Sequence, residues 1–261
     1  MNMTIKHQKA YAKQQRPLGL NVVLEGVAGS VAYGLDTENS DIDIKGVYLL
    51  PTADVLSIRH NPEKTTKNNT DPDWVYYEIG KFMKLVAGGN PTVSELLWLD
   101  SYTHMTPIGE LLVENRNIFL STKAVMNAYR GYAMGQAQDL SRRQLEGKDG
   151  YDSALKNRFA KHTRHCFRLL LQARQLLETG HLTVKVTPEQ REWLFKMGEQ
   201  SPETVVDAFI AEDKKMDDIV SVLPDEPDWE KIDALLLDIR TKKLMESAKI
   251  YKNGNWEKLV K

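Results

Sequence analysis

The chain has 261 residues, room for one large domain or two modest ones; 41% hydrophobic and 27% charged residues exclude disordered and collagen-like classes. A formal net charge of −1 provides no global field to draw the protein onto polyanions, so any nucleic-acid contact has to be local. The single cysteine, Cys166, excludes an internal disulfide and zinc-ligand spacing.

Met1 to Pro17 carries Lys6, Lys9, Lys13 and Arg16 but no apolar secretory stretch, and no segment has the length to span a bilayer. A soluble protein of the reducing cytoplasm, without membrane contact, is expected. Residues 21–28 predict a short buried strand that ends at Gly29-Ser30. Asp41 to Leu50 alternates Asp-Ile-Asp-Ile before an apolar run, which predicts a second strand stopped by Pro51. Val55 to Arg59 reads as a further short strand, and the polar, proline-bearing stretch Asn61 to Asp73 as a loop.

Trp74 to Tyr77 predicts a strand, after which Ile79, Phe82, Met83, Leu85 and Val86 take helical spacing from Glu78. Gly88-Gly89-Asn90-Pro91 reads as the break of that helix, with Thr92 or Ser94 starting another. Helical patterns then cover Ile108 to Phe119, Ala124 to Leu145, Ala154 to Thr179, Pro188 to Met197 and Trp229 to Tyr251. The change of pattern places a domain boundary near residue 120, dividing the chain into 1–120 and an all-helical 121–261.

Asp41 and Asp43 lie two apart on one strand, so both side chains share a face, roughly 6–7 Å apart at Cα. Paired carboxylates repel unless a cation compensates, and Mg²⁺ is held by one or two carboxylates with waters and substrate phosphates. Such a pair is also ordinary on a solvated strand edge. Upstream, Gly29-Ser30 closes an apolar strand, where glycine lets backbone N–H groups approach a triphosphate and the hydroxyl can hydrogen-bond it. Lys45 shares the face of Asp43 and either touches phosphate or pairs with the acids. Gly34 and Gly46 are read as serving backbone geometry, and Glu95 as the capping partner of Thr92.

Gly29-Ser30 followed by Asp41-Ile42-Asp43-Ile44 resembles the signature of DNA polymerase β-like nucleotidyltransferases. With Lys81-Phe82, Asn90-Pro91-Thr92 and Glu95-Leu96-Leu97, the string looks like one branch, the predicted nucleotidyltransferases named for an RNA repair pathway. The resemblance is strongest from Gly26 to Leu99, and His165 to Leu170 looks like that branch's helical segment. It implies an α/β nucleotidyltransferase lobe with a mixed sheet followed by an all-helical lobe. It also implies transfer of an NMP from an NTP to an acceptor hydroxyl, with pyrophosphate released. The cofactor implied is Mg²⁺ or Mn²⁺; the acceptor class stays open among an RNA end, a protein and a small molecule. Asp41 and Asp43 would hold the metals together with a third carboxylate on a neighbouring strand. Asp73 and Glu78 stand at the two ends of Trp74–Tyr77; Asp73 ranks first because it matches the branch's usual acid position, and Asp71 ranks behind both. The alternative is a nucleotide-binding regulatory protein, antitoxin-like, that kept the fold without turnover.

On the helix from Ala154 to Thr179, Arg158, Lys161, His162, His165, Arg168 and Gln172 recur every three or four residues and share a face nearly free of acids. A solvated polar side would look the same. Facing the cleft, the stripe would bind triphosphate, with His165 and Arg168 its preferred members. The pairs Arg142-Arg143 and Lys242-Lys243 are read as surface.

Overall fold

The structure is a computed structural model that describes residues 19–38, 40–61, 64–71, 73–135 and 153–252. The basic start of the chain and Arg142-Arg143 lie outside those residues. Five strands form one mixed sheet in the order β3-β4-β2-β1-β5: β1 Val22–Ala28, β2 Asp43–Tyr48, β3 Thr66–Thr70, β4 Asp73–Glu78 and β5 His104–Met105. β2 and β4 run parallel, with Ile44 opposite Trp74 and Tyr48 opposite Glu78, and the other neighbours are antiparallel.

Strand alternation divides β2 between two environments. Ile44 and Tyr48 join Val27, Val31 and Tyr76 in a small cluster, while Val47 joins the main core of Leu24, Phe82, Leu96 and Phe167. Asp43 and Lys45 share the face of Val47, so the same alternation turns the acid toward the helical layer. Gly46 is needed where a Cβ would meet the Tyr76 ring at 2.4 Å.

Helices follow the sheet. The helix Ile79–Ala87 starts on Glu78, whose side chain accepts from Gly80 N, and buries Ile79, Phe82, Met83, Val86 and Ala87. The helix Ser153–Thr179 is central, with Cys166, Phe167, Leu169, Leu170 and Ala173 buried in succession. Pro188–Gly198 opens with a capping box between Thr187 and Gln190. Its Arg191 donates to the carbonyl oxygens of Gly34 at 2.9 Å and Asp36 at 3.3 Å, tying the helical layer to the segment after Gly29-Ser30. No helix among the described residues is long and apolar enough to cross a membrane.

Three expectations are corrected. Asn61 to Asp73 contains β3, whose polar residues are held by backbone pairing with β4 as an edge strand rather than by apolar alternation. Val55 to Arg59 is no strand: a helical turn, Thr52–Val55, follows Pro51, and Ile58 is fully exposed. The helix at Pro91–Ser94 is capped by neither Thr92 nor Ser94 but by Asn90, whose side chain accepts from Val93 N. Asparagine before a proline at the first helical position is a start signal. The sequence pattern predicts neither the helix Pro202–Lys214 nor the two-residue β5.

Candidate active site

β1 ends where the chain turns into a short helix, Gly29–Tyr33, and Ala28 pairs with Asp43 across the strands. Gly29 has φ +63, and a Cβ there would stand 1.6 Å from Asp43 Oδ2. Only glycine meets both conditions: it adopts the left-handed conformation without strain and leaves room for the carboxylate to lie against the backbone. Ser30 is the next residue of the same turn.

Asp73 opens β4 beside Asp43 and is hydrogen-bonded to it. Burial, and then the neighbouring charge of Asp73, push the Asp43 carboxyl up to about 6, against the opposing pull of Lys45 and Lys161. The negative charge of a carboxylate this close disfavours ionisation of Asp43. Asp41 precedes β2 and is exposed; among the described residues, no three His, Cys, Asp or Glu side chains are gathered as a metal-holding group. Asp43 and Asp73 form the contacting pair, and Asp41 is two residues before Asp43 at the exposed entrance to β2. Asp71 is exposed in the turn before β4.

Glu78 lies at the opposite end of β4, about 17 Å along the strand from Asp73 at strand rise. Its carboxylate is buried, caps the following helix through Gly80 N at 2.8 Å, and pairs with Arg240 of the last helix. Arg240 also donates to Leu50 O at 3.0 Å. These partners occupy Glu78 far from Asp43, so the structure does not bring it into the acid pair.

Lys45 reaches from the face of Asp43 to Thr92 O at 2.6 Å and Glu95 Oε1 at 2.7 Å. Glu95 is 1% exposed, and its other oxygen accepts from Tyr33 Oη at 2.7 Å. Burial above all holds the Tyr33 phenol well above the ordinary tyrosine range, so it stays a donor. Glu95 thus joins the turn after Gly29-Ser30 to β2. Sequence reasoning gave it a capping role and passed over Tyr33, because neither lies near the acids in the chain.

The helical stripe divides. Arg168 is 1% exposed, with its guanidinium carbon 3.6 Å from the Tyr33 ring centroid. It donates to Gln172 Oε1 at 2.6 Å and meets His165 Nδ1 at 3.0 Å. A guanidinium only donates, so Nδ1 accepts and the imidazole is neutral on that side. Burial first, then Arg168, His162, Lys45 and Lys161, depress His165 to about 3. Arg168 therefore braces Tyr33 from beneath rather than presenting its fork to an open cleft. Lys161, one turn before His165, is exposed and acts electrostatically on Asp43.

A mixed sheet whose Gly-Ser turn abuts one of two touching aspartates, backed by helices, defines a nucleotidyltransferase-like protein of the DNA polymerase β class. The chain belongs to the RNA repair pathway DNA polymerase beta family, whose profile matches residues 3–238. An uncharacterized 38.9 kDa protein from the nrdC-mobD intergenic region of Enterobacteria phage T4 is 28% identical over 132 residues, 45% of this chain and 38% of that protein. The match thus spans well under half of the phage relative. A solved nucleotidyltransferase-like protein from Exiguobacterium sibiricum is 10% identical over 81% of this chain and 71% of its own, at a TM-score of 0.31.

Proposed function

We propose that the protein transfers an NMP from an NTP to an acceptor hydroxyl, releasing pyrophosphate, with Mg²⁺ or Mn²⁺ as cofactor. The observation that carries this reading is the contact of Asp43 with Asp73 against the backbone of Gly29. The donor set fits a hard divalent cation: two adjoining carboxyl groups repel as anions, and a cation held between them offsets that repulsion. Asp43 and Asp73 would hold the ion, with waters and triphosphate oxygens completing its shell, and Asp41, exposed just before β2, is the further carboxylate that the family resemblance implies. When bound, the metal neutralises triphosphate charge and lowers the acceptor hydroxyl's pKa.

The chain's own residues supply the rest. The backbone N–H groups of Gly29 and Ser30, with the Ser30 hydroxyl, receive triphosphate oxygens beside Asp43. Lys161 offsets negative charge from across the cleft. Lys45 is fixed between Thr92 O and Glu95 and keeps β2 and the Gly-Ser turn in register. Arg168 and His165 are positioning residues that act through Tyr33. The division into a transferase lobe, 1–120, and a helical lobe, 121–261, and a cytoplasmic location belong to the same reading.

The competing reading, a nucleotide-binding regulator without turnover, draws on the position of Asp41 outside the acid pair. Thermal unfolding with Mg²⁺ and NTP tests the nucleotide site itself. Wild-type protein is expected to melt higher in their presence, by mass action on the folded state, and Asp43→Ala to lose that rise. A rise of equal size in folded Asp43→Ala would reject the site.

A further inference from the structure

A cavity of 440 Å³ is lined by Lys81, Lys84, Leu85, Asn90, Pro91 and Tyr132, among others. It is linked to the residues around the acid pair along two routes. Asn90 Oδ1 accepts from Thr92 Oγ1 at 3.1 Å, and Thr92 O accepts from Lys45, on the face of Asp43. On the other wall, the Tyr132 ring stands edge-on to His165, with centroids 6.5 Å apart. His165 in turn lies within the influence of Lys45 and Lys161.

The lining has a particular chemistry. Lys81 and Lys84 are three apart on one helix, so their ammonium groups project from one side of it. Tyr132 is 46% exposed, although the rest of its helical segment buries Tyr129 and Ala133. An exposed aromatic ring across from two lysines, in a cavity of this size, is a platform for a nucleobase with flanking phosphates. The chain as a whole is nearly neutral, so a polyanion has to be captured by such a local patch. A duplex keeps its bases stacked inside and offers none to a single ring, whereas a strand end offers both base and phosphates.

We propose that this cavity is the acceptor subsite, and that the acceptor is a single-stranded nucleic-acid end whose base stacks on Tyr132 and whose phosphates pair with Lys81 and Lys84. The proposal rests on the transferase reading for the word acceptor, but strand binding itself is read independently of it. Lys161 acts electrostatically both on His165, the ring neighbour of Tyr132, and on Asp43, and so links this subsite to the acid pair through charge.

The test is fluorescence anisotropy of a short, mixed-sequence, fluorescein-labelled single-stranded RNA against the full chain, over a series of salt concentrations. In parallel, the Mg²⁺·NTP melting shift is measured for each variant. Lys81→Ala/Lys84→Ala is expected to flatten the slope of log K against log salt by about 1.4, at ~0.7 for each lost phosphate contact on a single strand. Tyr132→Ala is expected to weaken the strand about tenfold and Tyr132→Phe to preserve it, since stacking needs only the ring. The Mg²⁺·NTP shift is expected to persist in all three. Unchanged strand affinity and salt slope in both Lys81→Ala/Lys84→Ala and Tyr132→Ala, with the variants folded, would overturn the proposal. So would loss of the Mg²⁺·NTP shift with strand binding intact, which would give the cavity to the nucleotide. If the wild type shows no Mg²⁺·NTP shift yet binds the strand through these residues, the subsite stands and the transferase reading fails.

Discussion

Replacing Gly29 by alanine perturbs the site at its tightest contact. The new Cβ would start 1.6 Å from Asp43 Oδ2, and real Cβ contacts begin near 3.0 Å, so the two groups must separate by 1.4 Å (3.0 − 1.6). The left-handed φ of +63 adds strain of about 1–2 kcal/mol for a residue with a Cβ. For a chain of this size that strain lowers Tm by roughly 2–8 °C, at about 2–4 °C per kcal/mol. Catalysis should fall much further, because a displacement of about 1 Å at a reacting group costs on the order of 100-fold. Pyrophosphate release, measured well below the variant's Tm and beside its melting curve, separates the two effects. The reasoning is refuted if folded Gly29→Ala turns over at close to the wild-type rate.

Two further predictions follow the acids and the half-buried histidine. Asp73→Asn is expected to lower turnover by orders of magnitude with little change in Tm, whereas Glu78→Gln leaves chemistry in place but destabilises by about 3 kcal/mol, because Arg240 loses a buried anionic partner; kinetics and denaturant titrations on both variants check this, and the reverse pattern would make Glu78 the third acid. His165, held near 3 against about 6.5 when unfolded, stays neutral in the fold, so its contribution to stability is fully present above pH 6.5 and is lost as pH falls toward 3, by up to about 1.4 kcal/mol per pH unit. Asp43, raised to about 6, shifts stability the opposite way over the same range, so the measurement is the difference in unfolding free energy between wild type and His165→Gln. That difference should move against the wild type between pH 7 and pH 5; a pH-independent difference would contradict the half-buried, neutral imidazole.

What was legible in the sequence is what local pattern controls. β1, β2 and β4 carry apolar runs or alternation bounded by glycine and proline, and Gly29 and Asp43, although distant in the chain, sit on adjacent strand ends that the motif already names. β3 was illegible because Thr-Lys-Asn-Asn-Thr has no apolar face and becomes a strand only through the backbone of β4. The Asn90-Pro91 pair was read as a stop although it is also a start signal, one that the local sequence contained. The burial of Arg168 and of Glu95 was illegible for a different reason. Helical spacing shows that Arg168 shares a face with Lys161, but not that Tyr33 covers that face at one residue and leaves it open at the other. The burial of Glu95 depends on Lys45 and Tyr33 meeting it from separate elements, which no local window contains.

The central claim is tested most directly by incubating the protein with α-phosphate-radiolabelled NTPs, Mg²⁺ or Mn²⁺ and a mixture of short RNAs, then following the label. The account predicts that label moves from NTP to the RNA strands with wild-type protein, and that Asp43→Asn and Asp73→Asn abolish the transfer. Label that stays on the NTP with folded wild-type protein under every nucleotide and metal, or transfer that survives both substitutions, would contradict it.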